Sequence, residues 1–188
     1  MKFIEDKLFE KIDFSEESIE KAEYNYCSFV DCDLSGLDLS NFNFVESSFD
    51  TCNLSNVKTG YTAMQDVKFT NCKLMGIHFS DCNDFLLSLE FNDCDLSFSS
   101  FHKLKLKKTI FNNCNLQDVD FVETELNAAQ FNNCRLNGAV FENTILTAAD
   151  FRTAYNYSIN PETNHIEKAK FSKLGLAGLL DKYNIVVE

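Results

Sequence analysis

The chain has 188 residues, of which 45% are hydrophobic and 24% charged, with a formal net charge of −12 and a sequence pI near 4.6. This composition excludes a disordered chain, and no apolar run is long enough for a membrane-spanning helix. The negative field disfavours nucleic acid and anionic membranes as partners and favours a protein with a basic surface. Met1, Lys2, Phe3 and the acids that follow lack the basic start and apolar centre of a secretory signal, which predicts a cytoplasmic setting.

Residues 1–23 carry a weak five-residue spacing of apolar side chains through Ile4, Phe9, Phe14 and Ile19. They are expected to form an N-terminal cap or degenerate first coil. From Tyr24 the spacing becomes strict: Tyr24, Phe29, Leu34, Leu39, Phe44, Phe49 and Leu54, then Thr59 and Met64 as departures, then Phe69, Leu74 and Phe79. A second run, offset by two residues, begins at Leu86 and continues through Phe91, Leu96, Phe101, Leu106 and Phe111 to Phe151. A period of five fits neither the 3.6 of an α-helix nor the 2 of a flat strand. Two residues before each centre the side chain is usually small or a thiol, as at Cys27, Cys32, Ser47, Cys52, Cys72, Cys94, Thr109, Cys114 and Cys134. Two positions in five thus point inward and three outward.

A longer period overlies the short one. Phe-x-x-Cys-x-Leu recurs with Phe29, Phe49, Phe69, Phe91, Phe111 and Phe131 as its first residue. The step is 20 residues, or 22 across the offset, so each coil has four sides of five residues. Strings such as Asn113-Cys114-Asn115-Leu116 and Leu136-Asn137-Gly138-Ala139-Val140-Phe141 resemble the pentapeptide-repeat family. The resemblance implies an all-β solenoid, a right-handed quadrilateral parallel β-helix. Residues 24–154 are assigned to it, as about six coils spaced by about 4.8 Å.

The offset falls in Ser80-Asp81-Cys82-Asn83-Asp84-Phe85. Two readings of it stand: a β-bulge, or a functional loop of the kind that interrupts the coils of Qnr-type, gyrase-protecting members. Lys103, Lys105, Lys107 and Lys108 then form a basic patch, with Leu104 and Leu106 turned inward. After Phe151 the pattern stops. Residues 155–188 are read as a turn through Asn160 and Pro161, an α-helical cap that Ser172 begins, and a short strand at Ile185, Val186 and Val187. The helix carries Leu174, Leu176, Leu179 and Leu180, against which Gly175 and Gly178 count. It either packs on its own last coil or, as the Qnr-type resemblance implies, joins two chains through Leu176, Leu179 and Leu180.

Catalysis finds no support. His78, His102 and His165 fall outward, and the chain has no nucleophile elbow, phosphate loop or His-Glu-x-x-His motif. The cysteine column places its thiols in line rather than around a point, as a metal would need. No enzyme activity, metal or cofactor is expected. The resemblance to Qnr-type proteins implies DNA mimicry, in which the rod binds gyrase or topoisomerase IV and inhibits it or protects it from quinolones or toxins. The alternative is a structural or signalling scaffold with no topoisomerase role. The residues expected to meet a partner are the edge acids Asp31, Asp33, Asp50, Asp93 and Asp95, with Asn83, Asp84 and Phe85 at the offset.

Overall fold

A side chain every fifth residue buries itself only if the chain turns a corner every five residues. In the computed structural model, which describes residues 2–186, it does so. At most corners one residue takes a left-handed conformation, as at Asp31 (φ +54°), Asn71 (φ +53°), Lys103 (φ +63°) and Asn133 (φ +52°). This conformation costs an L-residue about 1–2 kcal/mol, least for Asn and Asp, whose short side chains bond locally. An inter-coil hydrogen bond offsets the cost, as where the Asp31 N–H donates to the Asp50 carbonyl at 2.9 Å. This explains why Asn and Asp crowd the corner positions.

Numbered in chain order, the strands form two parallel sheets. The first side of the coil holds β1 (Lys2–Glu5), β3 (Ala22–Asn25), β5 (Asn43–Val45) and β7 (Ala63–Gln65). The second side holds β2 (Leu8–Glu10), β4 (Ser28–Val30), β6 (Ser48–Asp50), β8 (Val67–Thr70), β9 (Leu89–Asn92), β10 (Ile110–Asn112), β11 (Gln130–Asn132), β12 (Asp150–Phe151) and β13 (Lys170–Phe171). Isolated parallel bridges, such as Asp33 with Asn53 and His78 with Ser100, continue the third and fourth sides. The nine-stranded second side spans about 38 Å at the usual strand spacing, longer than the rod expected from residues 24–154. The extra length comes from the ends. Because β1 and β2 pair in register with β3 and β4, the first coil is regular on two sides.

The core is a set of columns. Phe9, Phe29, Phe49, Phe69, Phe91, Phe111, Phe131, Phe151 and Phe171 stack ring on ring along the second side, with neighbouring centroids 4.5–5.5 Å apart. Phe79, Phe101, Phe121 and Phe141 stack along the fourth side and meet the first column edge-on. Thr59 and Met64, the two departures from the pattern, still point inward, and the Thr59 hydroxyl donates to the His78 carbonyl at 2.6 Å. All eight cysteines are buried and free. Along the third side each thiol donates to backbone carbonyls, Cys52 to Phe29 O at 3.4 Å and Cys134 to Phe111 O at 3.3 Å.

Three expectations are corrected. Leu86 does not begin the second inward run: it is 61% exposed at a left-handed corner. Residues 84–88 bulge outward there, because Ala63 still pairs with Asn83 while Val67 already pairs with Leu89. Leu87 packs on the core in place of Leu86. The cap is not an α-helix but two 3-10 turns, Leu174–Leu179 and Asp181–Tyr183. Its glycines have a packing reason: a Cβ at Gly178 would strike the Tyr157 carbonyl. Ile185 and Val186 are exposed and not in a strand, and Val187 lies outside the described residues.

Two outcomes follow. Phe111→Ala should lose about 3–5 kcal/mol in equilibrium urea unfolding, whereas Lys105→Ala should stay within about 0.5 kcal/mol. Burial pushes the Cys82 thiol up to about 12, and a hydrogen bond with Cys72, then burial, raises Cys52 as well. A raised thiol contributes stability in full below its unfolded pKa of about 8.5 and loses it as pH rises through the folded value. Circular dichroism should therefore show alkaline unfolding above about pH 8.5, with the midpoint moved upward in Cys82→Ala.

Candidate interaction surfaces

An Asp or Asn just before each inward centre can close the following turn with its side chain, because its oxygen reaches the N–H two residues on. Asp33 does this with Ser35 at 2.8 Å, Asp95 with Ser97 at 3.1 Å and Asn83 with Phe85 at 3.0 Å. The hydroxyl and N–H of Ser35 hold the Asp33 carboxyl below the usual carboxylate range. Two of the five edge acids are thus turn caps before they are surface charges.

Those five acids lie around the corner between the second and third sides. Asp31 and Asp93 are exposed at left-handed corners, while Asp33, Asp50 and Asp95 are half-buried. Asp31 and Asp33 border a shallow groove with Thr51, Asn53, Asn71 and Lys73. Paired residues up the third side read Asp13, Asp33, Asn53, Lys73, Asp95, Asn115, Arg135 and Tyr155, so an amide and a lysine interrupt the acids and an arginine follows them. Amides also tie into the acids: Asn113 donates to Asp93 at 3.0 Å, Asn115 to Asp95 at 3.0 Å and Asn53 to Asp33 at 3.3 Å. The edge is a hydrogen-bonded ladder with intermittent charge rather than a continuous acidic stripe.

Asn83, Asp84 and Phe85 stand elsewhere, at the bulge on the first side, and the fold does not bring them to the edge acids. Phe85 is 68% exposed beside Leu86. Above the bulge Leu104 and Leu106 point inward and the four lysines outward, as expected. Lys103 pairs with Glu123 at 3.7 Å and Lys107 with Glu125 at 2.8 Å. In the cap, Leu174, Leu176 and Leu180 are exposed, and Leu179 packs partly on the core. No metal-binding cluster occurs among the described residues, and none of their helices is long and apolar enough to cross a membrane.

Reading by residue type missed the distribution of charge between the two ends. Before residue 85 the chain carries 16 acidic and seven basic residues, and from residue 85 onward 13 and ten. A running charge count would have found it; the motif register does not look for it.

A four-sided parallel coil with these columns is a pentapeptide β-solenoid. The family model described as "Pentapeptide repeat region" matches residues 3–79 and 85–157, leaving 80–84 between them unmatched, and the chain belongs to that family. Among solved structures, a trypsin-treated variant of QnrB1, a plasmid-mediated fluoroquinolone resistance protein, superposes with a TM-score of 0.58 at 19% identity, covering 100% of this chain and 92% of that one. A second trypsin-treated QnrB1 variant gives 0.52 at 17% identity, covering 98% and 99%. HetL, involved in heterocyst differentiation regulation in the cyanobacterium Nostoc sp. strain PCC 7120, gives 0.62 at 11% identity, covering 92% and 88%. At these identities the likeness is one of fold. No curated protein matches the sequence.

Asp33→Ala and Asp33→Asn separate the two roles of the edge. Asn keeps the turn acceptor, so only Ala should lose about 1 kcal/mol at neutral pH by urea unfolding. Because the Asp33 pKa is lowered, its contribution is present above the unfolded value of about 3.9, and the Ala deficit should shrink as pH falls below it.

Proposed function

We infer that this protein is a non-catalytic rod that binds another protein through its surface. The observation that carries this reading is the surface itself: a rigid, fully packed solenoid whose acids concentrate in the N-terminal coils, where they outnumber bases by 16 to seven. Pentapeptide solenoids typically serve as interaction scaffolds, and a fold of this kind lends itself to display rather than to enclosing a substrate. An acidic rod of about 38 Å matches roughly one turn of duplex DNA in length, so a protein that grips DNA through a basic groove is the partner class it fits. Type II topoisomerase, gyrase or topoisomerase IV, is the first candidate. The resistance role named for QnrB1, whose fold is shared, supports the choice. The setting is cytoplasmic, where that partner works. The exposed Leu176 and Leu180, beside the half-buried Leu179, join two chains into a dimer and double the rod.

One observation favours a scaffold without a topoisomerase role. Lys73, Asn53 and Asn115 break the acidic columns that mimicry would keep continuous. Supercoiling by purified gyrase, with and without a quinolone, decides between the readings. Inhibition or protection that fades as salt shortens the Debye length below about 8 Å supports mimicry. Neither effect, with the fold intact by circular dichroism, leaves the scaffold. Light scattering of the Leu176→Glu/Leu180→Glu variant, expected to halve the mass, checks the dimer.

A further inference from the structure

The corner between the first and second sides carries one left-handed residue per coil, and its sequence up the rod is ordered by charge. It reads Asp6, Tyr26, Glu46 and Asp66, then Leu86 at the bulge, then Lys108, Ala128, Ala148 and Lys168, all with φ between +46° and +63°. Backbone hydrogen bonds fix the alignment: Asp6 N donates to Asn25 O, Tyr26 N to Val45 O, Glu46 N to Gln65 O, Lys108 N to Asn127 O and Ala148 N to Glu167 O. Three acids and Tyr26 occupy the coils below the bulge, an exposed apolar pair (Phe85 and Leu86) the middle, and lysines and alanines the coils above. Asp6, Asp66, Lys108 and Lys168 form no ion pair among the described residues and are exposed.

We propose that this corner is a self-complementary surface on which a second copy of the chain docks antiparallel, with the two-fold axis at the bulge. A two-fold axis perpendicular to the rod carries each coil above the bulge onto a coil the same number of steps below it. Asp66 then faces Lys108 of the second copy, and Asp6 faces Lys168. Tyr26 and Glu46, the large residues between, fall opposite Ala148 and Ala128. Phe85 and Leu86 meet their own counterparts at the axis, where projection of residues 84–88 sets the separation of the rods. Asp6, Asp66, Lys108 and Lys168 each acquire an opposite charge, and Tyr26 and Glu46 each meet a small residue. A parallel two-fold arrangement would instead set each charged residue of the corner against its own copy.

The surface is independent of the C-terminal cap and of any topoisomerase. A contact one corner wide buries no more than about 1,200 Å² in total, the range of weak and transient pairs, so the association is concentration-dependent. Charge pairs at such an exposed site set specificity and screening more than strength.

The test uses the full chain in the Leu176→Glu/Leu180→Glu background, which removes the cap as a source of dimers. Sedimentation equilibrium across the micromolar-to-millimolar range should show a monomer–dimer equilibrium that weakens with added salt. Asp66→Lys and Lys108→Asp should each weaken it about tenfold, by placing like charges opposite each other twice. The double variant Asp66→Lys/Lys108→Asp restores both pairs and should recover the wild-type constant. Leu86→Cys should form an intermolecular disulfide on mild oxidation, against native thiols that are all buried. A monomer throughout the range overturns the proposal. So does a dimer indifferent to the charge reversals, or a double variant no better than the singles.

Discussion

Parallel coils stacked at about 4.8 Å leave each side chain directly beneath the one a coil later, and this constraint organises the molecule. An inward position must then be filled by a residue that packs well on a copy of itself. Phe on Phe meets the demand with offset rings, Leu on Leu with interlocked methyls, and Cys with a thiol small enough for the coil edge that also donates to a carbonyl. The columns Phe9 to Phe171 and Cys32 to Cys134 are the outcome. Outward positions obey the same rule: Asn132 donates to Asn112, which donates to Asn92, both at 2.7 Å.

Stacking also governs what the surface can offer a partner. Like charges in neighbouring coils would sit a strand spacing apart and repel. Above Asp33 the chain relieves this by alternating acids with amides or lysines on the third side, and by setting pairs such as Lys107 with Glu125 between coils. An acidic column uninterrupted over the whole rod conflicts with the fold's own electrostatics, and stacked acids are confined to short runs such as Asp13 with Asp33. Acid accumulates instead over the N-terminal coils as a whole, and a partner meets a field rather than a line of contacts.

The bulge at residues 84–88 and the C-terminal turns are where the five-residue rule lapses, and there apolar side chains reach solvent. Phe85, Leu86, Leu174 and Leu176 are exposed, whereas the Phe and Leu centres of the central coils are buried. The shaft also exposes single apolar residues at its corners, such as Tyr61 and Phe98, but at the bulge and the C-terminal turns they come in neighbouring pairs suited to contact.

The five-residue spacing, the four-sided coil, the inward Phe, Leu and Cys columns and the outward lysines were all legible in the sequence. Each depends on residues near in the chain or on strict repetition. The edge acids were legible as residues but not as turn caps, because capping by Asp33 and Asp95 depends on corner dihedrals that residue type only suggests. Inward Leu86 was misread because counting by fives cannot say which residues of an insertion leave the stack; Leu87 takes the buried place because the backbone resumes pairing at Leu89. The apolar spacing of the last segment resembled an α-helix, but Tyr157 fills the space beneath it, and Gly175 and Gly178 let a tighter 3-10 turn close over that ring. The charge order of the corner from Asp6 to Lys168 is invisible along the chain, since its members lie some 20 residues apart and become neighbours only when the coils stack. In the regular coils sequence alone determined which side chains are buried, because burial there follows the local period; at the bulge it did not, and Leu87 rather than Leu86 packs on the core. Tertiary structure alone decided which surface residues share a column, because that depends on the register between coils.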